Sequence, residues 1–219
     1  MSKEVNPPRR YESHLRQEQS RETRQRILDA ARRLFLSRGY VATTIAAIGQ
    51  EAGVATQTVY VSFGNKRSIL TSLMDLSIGG DEQPVGVLQR SAPQQMRHTL
   101  DQRRQLEMMA HGIREIMERA SPIFDVMRSA GAADPEVATI YQRLQEQRLQ
   151  NMALVVEWVA ANGPLRQGLT VRAGADILWT LTSADVHRLL TVDRGWTGEQ
   201  YEHWLGDTLI ALLLPPASA

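Results

Sequence analysis

The chain contains no cysteine in 219 residues, so a disulfide framework, a zinc–thiolate centre and a thiol nucleophile are all excluded. No apolar run approaches the roughly 18 residues that a membrane span requires. The opening stretch MSKEVNPPRRYESHLRQEQSRETR also lacks the apolar h-region of a signal peptide. These absences predict a cytoplasmic chain with no membrane partner. Catalytic spacings are missing too. His14, His98, His111, His187 and His203 form no H-E-x-x-H or other metal-ligand pattern, and no G-x-S-x-G elbow or phosphate loop occurs. The carboxylates are scattered as helix-surface charges. An enzyme, a metal centre and a bound cofactor are therefore not expected.

A strong excess of charge of one sign is absent as well: the net charge is +1. Its distribution is uneven. Residues 1–70 hold 12 Lys+Arg against 6 Asp+Glu, and the remainder holds 13 against 18. That asymmetry fits a basic module joined to an acidic one, although a solvated basic tail would give the same count. An apolar fraction of 42% is ordinary for a globular chain with a real core.

In the basic half, SRETRQRILDAARRLFLSRG places Ile27, Leu28, Ala31, Leu34 and Phe35 on one helical stripe, with Ser20 as an N-cap candidate and Gly39 as the stop. TTIAAIGQEAG follows as a short helix capped by Thr43 or Thr44, with Ile45 and Ile48 inward and its end at Gly53. Residues 53–67, GVATQTVYVSFGNKR, then set two Thr, a Gln and a Tyr where a buried helix would carry Leu. Each such group costs about 1–3 kcal/mol if buried without a partner. Val54, Val59 and Phe63 can face a core, leaving Thr56, Gln57, Thr58, Tyr60 and Val61 on or near the other surface. Three short helices with a tight turn before the third describe a helix-turn-helix, whose second element of the pair enters the major groove of double-stranded DNA. Gln suits adenine, hydroxyls suit phosphates, and Val61 suits a thymine methyl. Lys66 and Arg67 open the next helix behind Asn65, where cations oppose the helix dipole unless a phosphate lies nearby.

The ordered segments ILDAARRLFLSRGY, TTIAAIGQEAGV and TVYVSFGNKRSIL, from about Ser20 to Leu70, resemble the DNA-binding domain of the TetR (tetracycline repressor) family of transcriptional regulators. The resemblance implies an all-α fold: an N-terminal three-helix helix-turn-helix domain over 20–70, a linking helix to about 79, and a helical ligand-binding and dimerisation domain over 80–219. It also implies that Thr44, Thr56, Gln57, Thr58, Tyr60, Val61 and Lys66 lie at the DNA. Tyr60 and Lys66 would contact phosphates, and Gln57 and Val61 would read bases. Two positions depart from the family pattern. Gly49 stands where Ala is common, at about 1 kcal/mol of helix propensity, and Ala55 stands where Ser commonly caps, at about 1 kcal/mol of capping unless Thr56 takes over. Residues 1–19, with Pro7, Pro8, Arg9 and Arg10, read as a flexible basic arm that either reaches a minor groove or only frays.

Beyond residue 78, IGGDEQPVGVLQRSAPQQ is rich in breakers and reads as a joint. Helices are expected over 101–119, from Ser121-Pro122 to about Ala130, from Asp134-Pro135-Glu136 to about Asn162, over 170–191 and over 197–214. The last opens with the capping-box pair Thr197 and Gln200. Its face of Tyr201, Trp204, Leu205, Leu209 and Leu212, beside Leu178 and Leu181, suits a homodimer built as a four-helix bundle, the use to which the family commonly puts its last two helices. Packing within one subunit is the alternative. Six Met between 96 and 152, with Phe124, Tyr141 and two Trp, supply soft apolar walls. Met108, Met117, Met127, Trp158 and Trp179, with His111 and His187 as polar anchors, form the candidate pocket for an unidentified small amphipathic or aromatic effector. Ordinary core is the competing reading of the Met stripe. Arg148, partly on an apolar face, reads as an ion-pair partner of Asp176 or Asp185 or as a site for an effector carboxylate. The resulting expectation is a repressor released by its effector from a pseudo-palindromic operator; a DNA-binding architectural protein without a sensor is the alternative.

Overall fold

The computed structural model describes the backbone of residues 9–81 and 83–216, with side chains from residue 16 onward. Among the described residues all regular structure is helical, and no helix is long and apolar enough to cross a membrane. The chain forms two compact units, Met1–Leu73 and Met74–Ala219.

The first unit holds α1 (Arg9–Ala42), α2 (Ile45–Ala52), α3 (Thr56–Phe63) and the first half of α4 (Lys66–Gly79). Ser20 does not start α1. The helix runs from Arg9, because the Glu, Arg and Gln of 12–26 are good helix formers that need no cap at Ser20. The part of the expected flexible arm over 9–19 is therefore helical, and residues 1–8 lie outside the described residues. The stop signal at Gly39 is real: its φ of +78° breaks the helical path inside α1. Ile27, Leu28, Ala31, Leu34 and Phe35 are buried together with Ile48, Val59, Phe63, Ile69, Leu70 and Leu73. Each large apolar side chain so buried is worth about 1.5–3 kcal/mol. Arg24 clamps this core from one side. It donates to the Ser62 carbonyl at 2.9 Å and the Ser72 hydroxyl at 3.0 Å, with its guanidinium 4.0 Å over the Phe63 ring.

The second unit contains α5 (Ser91–His98), α6 (Gln102–Gly131), α7 (Pro135–Ala160), α8 (Val171–Leu181), α9 (Ala184–Arg188) and α10 (Gly198–Leu213). Three expectations fail here. The breaker-rich joint contains α5, whose Pro93 sits in the first turn, where a missing N–H is tolerated. The helices expected on either side of Ser121-Pro122 are one 30-residue helix, α6, with Pro122 inside it. Ala120, Ser121, Ile123 and Phe124 around the proline are all buried, so packing offsets the roughly 3 kcal/mol a mid-helix Pro costs. The helix expected over 170–191 ends at Leu181. The Thr182 hydroxyl bonds the Leu178 carbonyl at 2.7 Å, Ser183 caps α9, and a π-helical turn follows over Leu189–Asp193.

The core of this unit joins α6, α7, α8 and α10 through Leu106, Met109, Val155, Val156, Leu178, Leu205 and Leu209. At its edge Gln105, fully buried, donates to the Met96 carbonyl at 3.1 Å and accepts from Asn162 at 3.0 Å. Thr197 and Gln200 form the expected capping box at the start of α10.

Candidate functional site

In α3, Thr56, Gln57, Tyr60 and Val61 are exposed, whereas Val59 and Phe63 on the opposite face are buried. Val61 is 79% exposed, unusually bare for a β-branched apolar residue within a helix, and Thr58 is half-buried. The turn that aims this helix depends on two glycines. Gly53 caps α2 in the left-handed region at φ +66°. At Gly49 a Cβ would stand 3.1 Å from the Val54 carbonyl oxygen and 3.5 Å from Thr56 Cα. Gly49 thus lets the start of α3 close onto α2, and the expected fraying of α2 is replaced by a packing reason. Ala55 is the N-cap residue of α3 and supplies no side-chain bond; Thr56 does not take over.

Two of the expected DNA residues are engaged within the protein. The Thr44 hydroxyl accepts from the Ala47 N–H at 3.1 Å, capping α2. Lys66 Nζ, expected at a phosphate, donates to the carbonyls of Tyr40 and Thr43 at 2.7 and 2.9 Å. The exposed α3 face is therefore the part of the expected set that stands open to a partner.

The effector residues expected in the second unit do not come together. Met117 and Met127 are core residues, only 3% and 0% exposed. Met108 is half-buried and accepts from the Thr99 hydroxyl at 3.6 Å, and Trp158 lies under the Arg97 guanidinium. His111 is no pocket anchor: it is exposed, 3.1 Å from both Glu202 oxygens and 3.7 Å from Glu115. A cleft of about 400 Å³ lies between Leu100–Arg103, Asn162 and Leu214–Pro215 and includes none of the expected residues. Among the described residues no three His, Asp or Glu side chains converge as metal ligands.

Trp179 and His187, both expected in the effector pocket, belong to a polar cluster with Arg148, expected at an ion pair or an effector carboxylate, and with Tyr201, expected at the dimer face. The Arg148 guanidinium stacks 4.8 Å over the Trp179 ring and donates to the Thr182 hydroxyl and Gln145 Oε1, each at 3.2 Å. Among the described residues no carboxylate pairs with it: Asp185, one of its expected partners, bonds Arg128 at 2.6 Å. Burial pulls its pKa down to about 10, weakly opposed by Tyr141, Tyr201 and Asp185. His187 packs edge-on against Tyr201, ring centroids 4.9 Å apart. Its Nδ1 and the Tyr201 hydroxyl are both buried without a hydrogen-bond partner. Burial pushes the Tyr201 phenol up and the His187 imidazole down, so both are neutral at pH 7. Each orphaned group costs about 1–3 kcal/mol. The signal for this cluster in the sequence was a cation on an apolar face; nothing in the spacing named Thr182 or Tyr201 as its neighbours.

Four of the expected interface residues are corrected by the same packing. Leu178, Tyr201, Leu205 and Leu209 are fully buried inside their own unit. α10 lies so close to α6 that a Cβ at Gly206 would touch the Ala110 methyl at 3.6 Å, and Glu202 bonds Arg114 at 2.6 Å. Leu181, Trp204 and Leu212 are half-buried.

Comparison with known proteins places this geometry. Residues 27–73, which hold the core stripe of α1 and all of α2 and α3, match the family model for bacterial regulatory proteins of the tetR family. The transcriptional regulator TtgR of Pseudomonas putida is 41% identical over 58 residues, 26% of this chain and 28% of that regulator's length. The transcriptional repressor BepR of Brucella suis is 26% identical over 202 residues, 90% of this chain and 94% of BepR. Among solved structures, the SmeT–triclosan complex has the same fold, with a TM-score of 0.66 at 22% identity over 89% of this chain and 93% of that one. The likeness is strongest where the bare helix α3 is built and extends, more weakly, along the helices that follow: residues 27–73 are a DNA-binding segment of the tetR type, and the rest of the chain shares the fold of such regulators.

Proposed function

We propose that the protein is a ligand-responsive, DNA-binding transcriptional regulator, a homodimeric repressor acting on a pseudo-palindromic operator in the cytoplasm. The observation that carries this reading is the exposed face of α3. Thr56, Gln57, Tyr60 and Val61 stand bare on a helix whose other face is locked into a core, as a major-groove reader requires. Gln57 and Val61 meet base edges; Tyr60 and Thr56 meet phosphates. Two copies on a two-fold axis would read successive half-sites, so that weak half-site binding becomes specific. BepR, named as a repressor, supports the sign of regulation, and the triclosan bound to SmeT supports a small-molecule effector.

The coupling route we propose runs through α4, which contributes residues to both units. Arg119 of α6 donates to the Ser77 carbonyl near the end of α4 at 3.2 Å. An effector that shifts α6 would pull on α4 and thereby on the spacing of the two recognition helices. A coupling of about 1–3 kcal/mol gives roughly 5- to 150-fold release.

The test is selection of genomic fragments by the purified protein, run beside Tyr60→Ala at low and high salt. Enrichment of one pseudo-palindrome, weakened by the substitution and by salt, is the expected result. Absence of any enriched sequence would refute the regulator.

A further inference from the structure

Polar groups of the second unit gather in one place, and several of their hydrogen-bonding positions have no internal use. Thr182 from the α8–α9 break, His187 from α9 and Tyr201 from α10 are buried beside an apolar core, and the half-buried Arg148 from α7 reaches them through Thr182. Arg148 uses Nε and one terminal nitrogen on neutral acceptors, and its Nη2 is not engaged. Among the described residues the Tyr201 hydroxyl and His187 Nδ1 have no partner, although Tyr201 is fully buried and His187 is only 7% exposed. A stack on Trp179 holds the guanidinium in place without neutralising it. Buried hydroxyls and imidazoles are ordinarily bonded, so two orphaned groups beside a half-buried guanidinium that no carboxylate neutralises among the described residues indicate groups kept for something else.

We propose that Arg148, Tyr201 and His187 form the head-group site for a monoanionic carboxylate borne on an apolar body, and that such carboxylates are the effector class of this regulator. The inference rests on the regulatory reading above. One guanidinium matches one negative charge, whereas a phosphate dianion would bring a second charge into a core with no second cation in the cluster. The phenol O–H and the Nδ1–H tautomer of His187 supply the further donors that a carboxylate's lone pairs accept. Met152, whose sulfur lies 3.8 Å from the Thr182 hydroxyl, and Trp179, on which the guanidinium stacks, are the apolar and aromatic groups beside these donors that the body of the ligand would pack against. Since the donors come from separate helices, an anion that gathers them favours one arrangement of α7, α9 and α10 over others, which is what an effector must do.

The test uses the full-length protein and a panel of aryl and alkyl carboxylates, biphenyl-4-carboxylate among them, each paired with its uncharged carboxamide. Binding is read by thermal shift and by the fluorescence of Trp179, with Trp179→Phe as the optical control. Carboxylates should raise Tm and the carboxamides should not. Tyr201→Phe and Arg148→Gln should each weaken carboxylate binding by about 10- to 100-fold. Tyr201→Phe removes only an unbonded oxygen, so it folds at least as stably as the parent and keeps the test valid if Arg148→Gln does not fold. No binding by any carboxylate, equal binding of the carboxamides, or undiminished binding by Tyr201→Phe would each overturn the site. Operator binding is measured on the same samples. An intact operator complex with no carboxylate response sinks this inference alone, whereas carboxylate binding without any operator sinks the regulatory reading and the effector role with it but leaves the carboxylate site.

Discussion

The ammonium of Lys66 sits 4.1 Å over the ring of Tyr40 and donates to that residue's own carbonyl oxygen at 2.7 Å. A second bond, to the Thr43 carbonyl at 2.9 Å, fixes the link between the end of α1 and the start of α2 from the first turn of α4. Lys66 thus holds together the frame on which α3 is mounted.

Lys66→Met should therefore lower the stability of the first unit by about 2 kcal/mol, combining two bonds from a charged donor and a cation–π contact discounted for partial exposure. Urea unfolding followed by helical circular dichroism reads this directly. Lys66→Arg should recover part of the loss, because the charge stays but a planar fork cannot cap two converging carbonyls as an ammonium does. Unchanged stability in Lys66→Met, with weakened DNA binding, would return Lys66 to a phosphate contact and remove its framing role.

The contrast between the two units shows what a single sequence carries. Ile27, Leu28, Leu34 and Phe35 announce a buried stripe, and in the first unit each helix finds its partner within a few tens of residues, so periodicity and caps nearly suffice. In the second unit the same kind of stripe was ambiguous. Tyr201, Leu205 and Leu209 form a face that either another subunit or α6 could cover, and periodicity does not say which. Pro122 read as a helix start because local chemistry disfavours it inside one, and tertiary burial overrode that preference. The break after Leu181 did have a signal, the cap-forming Thr182-Ser183 pair, masked by the apolar spacing on both sides. Arg148 was visible as a misplaced cation, but its neighbours lie up to 53 positions away in the chain, as Tyr201 does, and only the fold joins them.

The division of α10 into buried and half-buried residues separates folding from assembly. Leu205→Ala empties a fully buried site and should cost about 2–5 kcal/mol of stability. Trp204 is half-buried, packed at 6.0 Å against the Trp196 ring, and Trp204→Ala should cost less stability but weaken the proposed dimer. Sedimentation velocity over a concentration series distinguishes them: a Trp204→Ala protein that assembles as tightly as the parent would move the interface away from this face.

Acid should destabilise the protein in two stages. Burial holds the His187 imidazole below its ordinary pKa, with Glu118 opposing only weakly. The unfolded chain then takes up a proton that the folded one refuses, and the contribution of the neutral ring, fully present above about pH 6.5, is lost as pH falls below it. Glu202 follows at lower pH. Burial pushes its carboxyl up, but the bonds from Arg114 and His111 outweigh that and leave it below the usual range. Its contribution is complete above about pH 4.3 and disappears as pH falls through the folded-state value. Urea midpoints measured from pH 8 to pH 3 should thus begin to fall near pH 6.5 and steepen below about pH 4.3. His187→Gln, which cannot take up the proton, should flatten the first decline and leave the second. A first decline that persists in His187→Gln would mean that another group titrates there and that His187 is not held neutral by its burial.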